Sequence, residues 1–133
     1  MMLKEQFEQL VAEEFPNAIP EKFRSRVSNV AFIVEDIPSL ELRTREGLLA
    51  NETLLGYYHG IPHTARGSSY GVGATLPDVI TLFQVPITEV AMEQGGREED
   101  VRRVIRETIW HEVAHHFGMD EFEVRDRESK RQT

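Results

Sequence analysis

The residues able to do chemistry concentrate in one stretch, Trp110 to Glu121, WHEVAHHFGMDE. Within it His111, Glu112 and His115 make the spacing H-E-x-x-H. On a helix, residues four apart share a face, so both imidazoles can reach one metal ion. Glu112 stands beside the first histidine and can meet a water bound to that ion. The pattern points to metal-assisted hydrolysis with Glu112 as general base. Zinc suits histidine donors and an open position, one ion per chain, although iron, manganese or cobalt fit the same donors.

A catalytic zinc needs a third protein ligand. Gly118 ends the helix shortly after His115 and lets the chain turn back. Asp120 and Glu121 are then the candidates, and each also reads as an ordinary surface acid. His116 falls near the ligand face, but His115 already holds the i+4 position, so His116 is expected to pack behind the ligands.

These residues need a rigid helix. With Val101 at zero and 100° per residue, Val104, Ile105, Thr108 and Ile109 fall between about 300° and 80°. His111, Glu112 and His115 fall at about 280°, 20° and 320°, continuing the inward stripe. Trp110, Val113, Ala114 and Phe117 form a second apolar stripe, preceded on that side by Arg102, Arg103 and Arg106. The helix is therefore expected to start exposed and end buried on two sides. It should begin near Arg97, after the Gly95-Gly96 break, with Glu98, Glu99 and Asp100 in its first turn, where negative charge suits the dipole.

The remaining elements must hold that helix. Phe7, Leu10, Val11 and Phe15 recur at helical spacing over residues 3–15, and Pro16 is expected to stop that helix. Pro20 can open a short helix through Phe23. Val27 to Val34, Leu54 to Tyr58 and Asp78 to Val85 read as strands. Residues 39–52 read as a long loop, and His63 to Gly73 as a mobile surface loop. Pro86 can begin a short helix through Met92. Helices, then strands, then a long final helix make an α+β chain rather than a βαβ repeat. One domain is expected over residues 1–121, with the charged tail 122–133 fraying.

Composition narrows the function classes. The chain has 133 residues, 40% apolar and 29% charged, with no cysteine. That removes disulfides, thiolate zinc sites and thiol nucleophiles. A net charge of −8 repels phosphate backbones, so nucleic acid is not an expected partner. The amino terminus lacks a signal-peptide pattern and no apolar run could span a bilayer, which suggests a cytoplasmic protein with no membrane partner. Substrate and oligomeric state are not legible.

Beyond this chemistry, the sequence resembles a family. H-E-x-x-H-x-x-G with a ligand three residues later resembles the metzincin arrangement, except that Glu121 stands where metzincins have histidine. HEVAHHFGMDE is more similar to the signature of the small, bacterial, single-domain minimal zincins, which carry an acidic residue there. LLGYYHGIP (residues 54–62) and LPDVITLFQVPI (residues 76–87) also resemble that family's segments. The resemblance covers about residues 5–122. It implies a zincin-like fold, a small mixed sheet on helices, with His111, His115 and Glu121 as metal ligands and peptide hydrolysis as the activity. The usual residue at the last position is aspartate, so Asp120 stays open as a competitor. A zinc-binding interaction module without general turnover is the competing function. A fourth protein ligand, from His116 or His59, would mark it. Tyr57, Tyr58, His59, His63 and Arg66 are candidates to donate to the transition state.

Overall fold

The computed structural model describes residues 2–25, 27, 29–60 and 76–118. The helices are α1 (Lys4–Ala18), α2 (Leu40–Arg45), α3 (Gln84–Glu93) and α4 (Glu98–His116), with a 3₁₀ turn at Glu21–Phe23. The strands are β1 (Val30–Glu35), β2 (Gly56–His59) and β3 (Asp78–Phe83). The architecture is the expected α+β, and the last helix is the longest described. The predicted loop over 63–73, Asp120, Glu121 and the tail 122–133 lie outside the described residues. No described helix is long and apolar enough to cross a membrane.

The sheet is mixed, in the order β1-β3-β2. β3 pairs in parallel with β1, Val30 opposite Asp78, and antiparallel with β2, Tyr58 opposite Ile80. Ile80 and Leu82, on the inward side of this central strand, are fully buried. Against them packs α4, which also touches α1, α3 and β2. Its inward stripe, Val101, Val104, Ile105 and Ile109, is buried as the periodicity required. So are Trp110, Val113 and Ala114 of the second stripe.

Several boundaries differ from expectation for local reasons. Pro16 lies inside α1 rather than ending it. It is exposed near the last turn, so the carbonyl that loses its partner can face water. Burial of Ala18 and Ile19 offsets the loss. β1 begins at Val30, because Asn29 adopts a left-handed φ of 59° and donates from its side chain to the Leu76 carbonyl. Residues 40–45 of the predicted loop form α2, capped by Ser39 Oγ accepting from the Leu42 N–H at 3.1 Å. α3 follows β3 without a loop, so Pro86 is its third residue rather than its first.

The start of α4 is exposed at Glu98 and Glu99, as expected, but Asp100 is 1% exposed and closes the first turn. Its carboxylate accepts from the Arg97 N–H at 3.0 Å and from Arg103 at 2.8 Å. Arg102 and Arg106, expected in solvent, reach across to α1 instead. They donate at 2.9 and 2.8 Å to the two oxygens of the buried Glu14. Burial pushes the Glu14 carboxyl up, but Arg106 and Arg102 outweigh it and hold it below the ordinary range.

Candidate active site

α4 and β2 together position the histidine motif. The His111 and His115 rings lie one turn apart, centroids 4.2 Å from each other and tilted by 45°. The spacing of the motif thus brings both imidazoles to one place. They do not continue the buried stripe, however. His111 and Glu112 are half-buried and His115 is exposed, so the stripe opens to solvent over the last two turns. A site at a cleft margin, rather than in the core, results.

The cleft has a volume of about 360 Å³. Glu107, Thr108, His111 and Glu112 of α4 form one wall, and residues 53–56 form the other. The two walls meet at Gly56, where a Cβ would stand 2.8 Å from Thr108 Cγ2 and 3.2 Å from the Thr81 carbonyl oxygen. Only a glycine lets the strand approach the helix this closely.

Glu112 stands at this junction, half-buried and close to the Tyr58 main chain. Burial pushes its carboxyl above the ordinary range, outweighing the proximity of His111 and of the Tyr58 main chain.

The other candidates separate. Tyr58 is buried and its hydroxyl donates to Asp78 Oδ2 at 2.6 Å, so that proton already has an acceptor. Alternation puts Tyr57 and His59 on the opposite face of β2 from Gly56 and Tyr58, which face α4. His63 and Arg66 lie outside the described residues. His116 stacks on the Tyr58 ring, centroids 3.9 Å apart and planes at 21°. Sequence reasoning missed Asp78 altogether, and its place at the start of a strand was the sole available signal.

Among the described residues no group of three His, Asp or Glu side chains converges to hold a metal. Neither His116 nor His59 therefore joins the histidine pair. Asp120 and Glu121 lie beyond the described residues. The donor chemistry nonetheless fits a metal. Two imidazoles share one helix face at a solvent-open margin, and a carboxylate stands beside them without belonging to the pair.

A mixed sheet backed by helices, with H-E-x-x-H on the last long helix, is the layout of a zincin. The chain belongs to the zincin-like metallopeptidase family, whose sequence pattern matches residues 27–131. Among solved structures it is similar to a conserved hypothetical protein from Thermus thermophilus. The two share 26% identity and a TM-score of 0.50, over 86% of this chain and 94% of that one. No curated protein matches the chain.

Proposed function

We propose that this protein is a zinc-dependent peptidase, with His111, His115 and Glu121 holding the ion and Glu112 as general base. One observation carries the reading: His111 and Glu112 line the same open cleft, and the His115 ring lies 4.2 Å from that of His111 at its margin. When bound, zinc supplies Lewis acidity, polarising a carbonyl and lowering the pKa of water toward about 7. Glu112 takes a proton from the water that attacks the scissile carbonyl carbon. As the carbon–nitrogen bond breaks, Glu112 returns that proton to the leaving amine. β2 is one of the two edge strands of the sheet among the described residues and borders the cleft. Its main chain can align an extended peptide by added strand pairing.

The test is a broad peptide library, offered to the zinc-loaded chain and to Glu112→Gln. Glutamine keeps the shape but cannot take the proton. The expected result is cleavage by the unsubstituted chain and a loss of about 10²- to 10⁴-fold in the variant, with zinc content unchanged. Equal cleavage by both would remove Glu112 from the role. No cleavage by either, with zinc bound, would favour the interaction module instead.

A further inference from the structure

We propose that Tyr58, anchored by Asp78, is a positioning residue that fixes the last turn of α4 and thereby the placement of His115 beside His111. The inference rests on the metal-centre reading above and adds to it a support for the ligands.

His115 and His116 are the final residues of α4. The last four carbonyls of a helix lack intrahelical partners, and such turns fray unless something outside the helix holds them. Here the support is Tyr58. Its ring lies flat against His116 at 3.9 Å and meets the edge of Phe117 at 6.2 Å. The residue after the candidate ligand and the residue after that are thus both held from the strand.

Tyr58 is in turn locked. Its hydroxyl donates to Asp78 Oδ2 at 2.6 Å, and both residues are 9% exposed. Tyr58 pairs with Ile80 across the sheet, so Asp78 is its diagonal neighbour on the same face. Asp78 is itself tied to the turn before β1, its N–H donating to the Asn29 carbonyl at 3.1 Å. The same Oδ2 lies 4.0 Å from His116 Nε2, so one carboxylate oxygen faces both stacked rings. Gly60 completes the cradle: a Cβ there would stand 2.9 Å from His116 Cε1. One strand residue therefore reaches the ligand-bearing turn through its side chain. A Tyr58 serving only to fill the core would require neither the Asp78 bond nor the flat stack on a surface histidine.

The test is cobalt(II) titration of the full chain, with affinity read against a competing chelator and ligand geometry read from the visible d–d spectrum. Tyr58→Leu removes ring and anchor, Asp78→Ala removes the anchor, and Gly60→Ala presses on His116 while leaving Tyr58 and Asp78 intact. Loss of such outer support typically weakens metal binding about 10- to 100-fold. That loss, with a changed cobalt spectrum, is expected for Tyr58→Leu and Asp78→Ala, and a smaller loss for Gly60→Ala. Asp78→Asn still accepts from the hydroxyl and should recover most of the affinity. If Tyr58→Leu fails to fold, Gly60→Ala and the Asp78→Ala against Asp78→Asn comparison carry the test. Folded variants with unaltered cobalt affinity and spectrum, changed only in melting temperature, would overturn the proposal and leave the metal centre standing. An unsubstituted chain that binds no cobalt would overturn both.

Discussion

At the scale of single residues, His111 and His115 share a helix face with rings 4.2 Å apart. His111→Ala and His115→Ala are each expected to abolish stoichiometric zinc binding, measured by metal analysis of the purified variants. Zinc content equal to the unsubstituted chain in both would sink the assignment. The third position is expected at Glu121, so Glu121→Ala should weaken zinc binding more than Asp120→Ala in chelator competition. The reverse order would move the ligand to Asp120. The histidine spacing was readable from the sequence because helix geometry converts a four-residue interval into a shared face. The Tyr58 to Asp78 hydrogen bond was not readable. Its partners stand 20 residues apart, and only strand register makes them neighbours. The buried appearance of the three polar residues was an error of the same origin. Periodicity gives direction around a helix, and what covers each direction is set by other elements.

Two helix and strand features yield predictions at the scale of elements. Asp100 closes the first turn of α4. The Arg97 N–H, then Arg103 and the Arg97 guanidinium, hold its carboxyl down to about 2 from an ordinary 3.8, against the effect of burial. The unfolded chain therefore takes up a proton here at higher pH than the folded one. The stabilisation is complete above the ordinary value and is lost as pH falls through about 2. Thermal melts of Asp100→Ala and the unsubstituted chain should differ by a constant amount near neutral pH and converge as pH drops through that window. A gap that stays constant into strong acid would disprove the linkage. On the strand side, Gly56→Ala forces a Cβ to 2.8 Å from Thr108 Cγ2. Overpacking of this kind typically costs about 1–3 kcal/mol. Thr108→Ala added to it should recover part of that loss, seen as a denaturation midpoint higher than additivity allows. Strict additivity would show that the strand and helix are not in limiting contact. Most element types were legible from apolar periodicity, the short α2 inside the expected loop excepted, yet the ends were decided by single residues. Ser39 capping α2 and Asn29 turning before β1 each depend on a side chain finding one backbone group.

For the whole molecule, the site is best viewed as the place where the last helix leaves the core. α4 is gripped at its start by Glu14 of α1, which takes both Arg102 and Arg106, and along its middle by buried Val104, Ile105, Ile109 and Trp110. Its final turn has less cover, since His115 and His116 are exposed and Phe117 half-buried. The chain thus keeps a strong scaffold beneath a last turn that solvent reaches. An ion shared by His111, His115 and Glu121 would close that turn onto the segment that follows it. Such an ion binds the folded chain far better than the unfolded one, because the unfolded chain does not hold these donors together. Zinc should therefore raise thermal stability by linkage. Free zinc at a hundred times its dissociation constant contributes about 2.7 kcal/mol. For a domain of this size that is a melting shift on the order of 10 °C. Scanning calorimetry of the chain with zinc, and again after exhaustive chelation, measures it. His115→Ala controls for nonspecific binding, and its melting temperature should not respond to zinc. Glu112→Gln should retain the full shift, since it keeps both imidazoles and loses only the proton acceptor. A zinc response equal in His115→Ala and the unsubstituted chain would place the ion elsewhere. A response lost in Glu112→Gln would make Glu112 a ligand rather than the base.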